Sequence, residues 1–183
     1  LPISISEQND KITFGYGYEN DKLGVGNSPS VEVLNFFNEY STLPGNKLIF
    51  NQLLLNTGWG RSNLDRAFFP TQGLSQSASA QLSEHISQKN LQYYKLNYTA
   101  KWYHPIVGDF IFSSLAGVNY GNGFGKSNNL PFFQDFYSGG VGSVRGYTNN
   151  TLGPRDSLGN PLGGNFSVNG TVAMIFPNFI SPD

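Results

Sequence analysis

The chemistry open to this 183-residue sequence is limited by what it lacks: it has two histidines and no cysteine. His85 and His104 lie on separate segments, without the helical spacing or paired carboxylate of a zinc site, and read as strand-end residues. Without cysteine there can be no disulfide, Cys-zinc or iron–sulfur centre, and no thiol nucleophile. Gly121-Asn122-Gly123-Phe124-Gly125-Lys126 superficially resembles a phosphate loop. Its spacing does not fit G-x-x-x-x-G-K-[ST], and no helical pattern follows, so it reads as a flexible strand exit. No serine has the G-x-S-x-G setting of a hydrolase elbow. Asn97-Tyr98-Thr99 and Asn169-Gly170-Thr171 match the glycosylation acceptor pattern but fall inside predicted strands. The chain is therefore read as non-enzymatic, with no catalytic residue, no metal and no cofactor expected.

One segment has chemistry of another kind. Phe136-Tyr137-Ser138-Gly139-Gly140-Val141-Gly142-Ser143-Val144-Arg145-Gly146-Tyr147 sets a single arginine among aromatics and four glycines, and Leu152-Gly153-Pro154-Arg155 follows. The glycines permit left-handed and closely packed backbone. Such a segment can fold back compactly, and an arginine inside a barrel can be held by a wall carboxylate in a bidentate pair.

The elements that must carry this segment are strands. Ile12, Phe14, Tyr16 and Tyr18 alternate with Thr13, Gly15, Gly17 and Glu19. The same period of two runs through Leu74–Ser83 (with Gln76 as a polar intruder), Leu96–Tyr103, Phe110–Gly121 and Phe166–Phe176, placing apolar side chains on one face of a sheet. With Leu48–Trp59 and a short piece at Leu1–Ser6, about seven strands are predicted. The opposite face is Ser, Asn, Thr and Gly rather than the Lys and Glu of a solvent-exposed sheet. That pattern favours a membrane barrel, with its apolar face in lipid, over a soluble sandwich, which is the alternative.

Composition agrees. Charged residues are 13% of the chain, about half the usual ~25%, while aromatics are 15%, with 22 Gly and 21 Asn. A net charge of −1, with no basic stripe, argues against nucleic-acid binding. No apolar stretch approaches the ~20 residues of a transmembrane helix. Tight turns are expected at Glu7–Lys11, Ala67–Gly73 and His104–Asp109, and longer connections at Asn20–Lys47, Glu84–Gln92 and Gly121–Gly164. Short turns at one end and long loops at the other form the outer-membrane pattern. Within the first long loop, Ser30–Tyr40 reads as a short helix capped by Ser30, with Leu34, Phe37 and Tyr40 on one face. A lid packing over the barrel mouth is preferred to a partner-binding helix.

Val144-Arg145-Gly146-Tyr147 resembles the VRG[FY] tip of loop 6 in the BamA/TamA superfamily of outer-membrane insertases and translocators. Phe132–Gly140 is similar to the stretch that precedes that tip. Leu64-Asp65-Arg66-Ala67-Phe68-Phe69-Pro70-Thr71-Gln72-Gly73 resembles the family's LDRxxFPTxG strand–turn segment, and Gly163-Gly164-Asn165 opens the strand after loop 6, as in the family. The blocks stand in family order, and the LDRxxFPTxG block favours the insertase branch over TamA-like and two-partner secretion transporters.

The resemblance implies an antiparallel transmembrane barrel of 16 strands, of which this chain supplies about seven from the middle. Loops 20–47 and 121–164 would be extracellular, and periplasmic POTRA domains and the terminal strands would lie outside the chain. It implies a bacterial outer-membrane assembly factor that folds and inserts β-barrel proteins. Its implied partners are unfolded barrel substrates, assembly-complex lipoproteins, lipid and lipopolysaccharide. A TamA-like or two-partner secretion pore, or a plain porin or adhesin barrel, is the alternative. Val144, Arg145, Gly146 and Tyr147 would form the loop tip, supported by Phe136, Tyr137, Gly139 and Gly140. Arg145 would bond an Asp on a strand after Pro182-Asp183, as a structural rivet rather than a moving switch. Asp65, Arg66, Phe69 and Pro70 would be architectural in a periplasmic turn. One departure is Ala173, where family sequences often carry Glu. An isolated piece with two raw sheet edges is expected to be unstable alone.

Overall fold

The computed structural model describes residues 2–7, 9–40, 47–85 and 91–176. Seven strands pair in sequence order into one antiparallel sheet: β1 Pro2–Glu7, β2 Asp10–Gly24, β3 Lys47–Ser62, β4 Gly73–His85, β5 Tyr93–Val107, β6 Phe110–Gly123 and β7 Phe166–Ile175. The predicted strands are all present, and most run further than the alternation suggested. β2 continues to Gly24, so the first long connection starts later. β3 ends at Ser62 and β4 begins at Gly73, which makes that turn longer than Ala67–Gly73. The turn expected from His104 shrinks to Gly108-Asp109, because β5 runs through Pro105 with a register shift between Pro105 and Val107. A bulge is where a strand can accommodate proline, which has no N–H for the ladder. Residues 41–46 of the first long loop, 86–90 of the Glu84–Gln92 connection, Gln8 of the first turn and Pro182-Asp183 lie outside the described residues.

Register separates the two faces. Tyr18↔Leu53, Phe14↔Thr57, Ile12↔Trp59↔Ala78↔Tyr98↔Val118↔Val168 and Leu96↔Tyr120↔Phe166 lie on one bare face. Its side chains stand open, with Tyr16 60% and Val172 71% exposed. Gln76 lies on this face and accepts a hydrogen bond from Tyr98 Oη at 2.6 Å. His104 stacks on Trp102 here, with ring centroids 5.5 Å apart. The 16 residues of β3 would span roughly 50 Å at ~3.4 Å each, more than a tilted strand needs to cross a ~30 Å hydrocarbon core.

The other face carries loops. Helix α1 (Val31–Tyr40) begins as predicted, with Ser30 Oγ accepting from Val33 N at 3.4 Å. Its packed side is Val33, Phe36, Phe37 and Tyr40, whereas Leu34 is 42% exposed, which corrects the predicted face. The helix is apolar on two sides, and the cluster on the sheet selects Phe36 rather than Leu34. The covered face is also not uniformly small and polar. At the loop end, Leu48, Phe50 and Tyr93 point inward and form a core with Leu91, Leu130 and Phe37.

Candidate functional site: the long loop over the covered face

The loop 124–165 is built from its root upward. Phe132–Gln134 forms a single 3-10 turn that lays Phe132 and Phe133 against α1. Phe36 meets Phe132 edge-on at 5.2 Å and Phe133 at 6.0 Å, and Phe133 stacks on Phe50 at 6.3 Å. Edge-on and offset ring pairs add to the burial energy, so α1 and the loop share one aromatic core on the wall. The first loop also grips the second near the surface. Val31 N donates to Ser157 Oγ at 2.9 Å, and Ser157 N donates to Glu32 Oε2 at 3.0 Å.

Above the root, the two legs of the loop pair. Phe136 and Gly164 exchange backbone hydrogen bonds of 2.8 and 3.0 Å, and Leu152 N donates to Ser138 O at 3.0 Å. Gly139 and Gly140 are buried with φ of +115° and +93°, and a side chain on Gly140 would collide with Asn149. Only glycine fits there. The leg then turns through Ser143 N to Gly140 O, 3.1 Å, and Gly139 N to Ser143 Oγ, 2.8 Å.

The structure thus brings Phe136, Gly139 and Gly140 together with the returning leg, while Tyr137 is 37% exposed beside them. At the tip Val144 is half-buried, Arg145 is exposed, Gly146 has φ +89° and Tyr147 is 56% exposed. Arg145 makes no hydrogen bond or ion pair among the described residues.

Sequence reading missed the wall groups beneath the root. Lys95 of β5 donates from Nζ to Gln134 Oε1 at 3.3 Å and lies 4.9 Å from the Phe136 ring centroid. Next to it, burial pushes the Asp135 carboxyl up to about 7, while the Lys95 charge pulls it down. Further in, Gln52 Nε2 donates to Asp21 Oδ2 at 2.9 Å, and Ser83 Oγ donates to Gln52 Oε1. Gln52 and Ser83 are wholly buried.

At the opposite end, the Asp65 turn is ordered by its own hydrogen bonds. Asp65 accepts from Thr71 Oγ1 at 2.6 Å, Thr71 N at 2.9 Å and Gln72 N at 3.2 Å. The Thr71 hydroxyl first, then the two amides and the Arg66 charge 3.5 Å away, hold its carboxyl down at about 2. Phe69 sits at φ +52° and is 89% exposed, just before Pro70.

A meander of long antiparallel strands, apolar on its bare face and roofed by loops from one end on the other, is the wall of a transmembrane β-barrel. The whole of residues 1–183 matches the Omp85 superfamily domain. The chain belongs to the Omp85 superfamily, whose place here is the bacterial outer membrane. It is 32% identical over 174 residues to the outer membrane protein assembly factor BamA of Neisseria meningitidis serogroup B, covering 92% of this chain and 22% of that protein. It is also similar to the crystal structure of BamA from Haemophilus ducreyi lacking POTRA domains 1-3, with a TM-score of 0.83 and 26% identity, covering 97% of this chain and 36% of that one. The chain thus spans well under half the length of either relative.

Proposed function

We propose that this chain is the loop-bearing wall of a non-enzymatic insertase, which folds β-barrel proteins into the outer membrane. The observation that carries the reading is the roof itself, in a chain 32% identical to an assembly factor. Phe133, Phe136 and α1 pack on the covered face, the face that in a porin borders an aqueous channel. The substrates are unfolded outer-membrane barrels, whose strands add to an exposed edge by β-augmentation. Assembly-complex lipoproteins and the surrounding lipid and lipopolysaccharide are the other partners. Val144, Arg145, Gly146 and Tyr147 are the working tip, and Phe136, Tyr137, Gly139 and Gly140 its support. Asp65, Arg66, Phe69 and Pro70 shape the periplasmic turn.

The test uses the intact gene product in liposomes and follows the folding rate of a denatured outer-membrane barrel. Acceleration by wild type, reduced by Arg145→Ala, is the expected result. No acceleration, with open-channel conductance in its place, overturns the insertase reading in favour of a transport pore.

A further inference from the structure

Both legs of the long loop leave the wall beside one residue. Lys95 is paired with Gly121 across β5 and β6 and with Gln81 across β4 and β5, on the covered face. Gly121 N donates to Asn165 O at 2.8 Å, which fixes the returning leg, and Gly164 is bonded to Phe136 of the outgoing leg. The Lys95 side chain meets that outgoing leg three ways within three residues. Its Nζ donates to Gln134 Oε1, its charge faces the Asp135 carboxylate, and it lies over the Phe136 ring. Glu19 of β2 faces the same charge from across the sheet. Keeping an ammonium half out of water is costly unless it is paired and hydrogen-bonded. A purely structural filler for this place could have been apolar, like Leu130, which packs at Gly121, the partner of Lys95 on β6. A cation addressing Gln134, Asp135 and Phe136 together instead fixes where the root sits and which way it leaves the wall.

We propose that Lys95 is a positioning residue for the long loop: it clamps the root Gln134–Phe136 to strand β5 and so sets the direction in which the tip around Arg145 is presented. This rests on the reading of the tip as the working part of an insertase. It adds to that reading a second anchor, on the wall, separate from any partner of the tip.

The test is a distance measurement on the intact protein. Spin labels are placed at Val141, 84% exposed at the tip, and at Val172, 71% exposed on the bare face of the wall. Lys95→Met keeps the stem and removes the charge, and Lys95→Arg restores a donor. The expected result is a narrow tip-to-wall distribution in wild type, a broad one in Lys95→Met and recovery in Lys95→Arg. The Lys95→Met protein is also expected to accelerate barrel folding about ten- to a hundredfold less, the weight of one hydrogen bond to a charged group. If Lys95→Met fails to assemble, as judged by heat-modifiable gel migration, Gln134→Leu removes the acceptor without touching the wall and should broaden the distribution likewise. An unchanged distribution in either variant overturns the proposal, whatever the folding assay gives. Absence of acceleration by wild type overturns the insertase reading alone, because the distances are read without it.

Discussion

Phe50 tests whether the roof is held by its packing on the wall. It is 1% exposed, points inward from β3, and lies 6.1 Å from Phe36, 5.8 Å from Tyr40 and 6.3 Å from Phe133 by ring centroids. Its ring touches α1 and the long loop at once, whereas its backbone belongs to the ladder with Asp21. Phe50→Ala should therefore weaken docking of both loops and leave the strand hydrogen bonds in place. Truncating a buried Phe costs about 3–5 kcal/mol, which corresponds to a rise of about two to three and a half orders of magnitude in the undocked population. The assay is protease added from outside to cells carrying the intact protein. Cleavage within residues 25–40 or 124–165 is scored, and heat-modifiable migration reports the barrel. The control is Ile49→Ala, one residue away on the bare face and 56% exposed, which should leave the loops as protected as in wild type. The reasoning is refuted if Phe50→Ala is no more cleavable than wild type, or if Ile49→Ala opens the loops equally.

Two further outcomes follow from the carboxylates. Asp135 has its carboxyl raised from 3.8 to about 7, chiefly by burial. Its contribution to root packing is therefore full below pH 3.8 and is lost as pH rises through about 7. The groups facing it are Lys95 from β5 and Tyr137 from its own loop, with Glu19 of β2 beyond Lys95. Protection of the root amides, relative to their intrinsic exchange at each pH, should fall across that window in wild type and stay flat in Asp135→Asn, and an equal slope in both would remove Asp135 as the cause. Asp65 behaves in the opposite sense: its carboxyl is lowered from 3.8 to about 2, so its hold on the turn is complete above 3.8 and lost as pH falls through about 2. Protection of the Thr71 and Gln72 amides should follow that course, and Asp65→Ala should lose it at every pH; protection that survives in Asp65→Ala would show that other bonds shape the turn.

The strands were legible because each face meets a different medium, and the period of two records it residue by residue. Where the pattern fails, the structure supplies the reason. Leu48-Ile49-Phe50 does not alternate in polarity, since Ile49 faces outward while Leu48 and Phe50 meet the roof. A strand whose residues belong in apolar surroundings on both faces, here the roof and the outward apolar face, reads as a continuous apolar run. The run was visible, but its covering partners Phe36 and Phe133 are far away in sequence. The same distance hid Lys95, which looked like one more polar residue among Asn97 and Thr99. Gln134, its acceptor, is 39 positions on, and only the fold of the long loop makes them neighbours. The α1 face was misjudged because Leu34 and Phe36 are both apolar and helical spacing allows either. The tip motif was legible by type, but its surroundings were not.

Root and tip of the loop are built on opposite physical terms, and that contrast bears on the role proposed for the tip. The root is aromatic, half-buried and bonded to β5, β6 and α1, whereas Val141, Arg145 and Tyr147 project from glycine-rich backbone. Gly142 and Gly146 have nothing within 4 Å of where a side chain would start, so beyond the turn bonded from Gly140 to Val144 the tip stands in open space. A small bonded turn on two legs takes its orientation from whatever fixes those legs. Here they are fixed by the Phe136–Gly164 pair and the Lys95 clamp. A change at the tip should therefore alter what the loop does without altering whether it is docked. A change at the root should alter both, and measuring insertion and loop protection on the same variants separates the two.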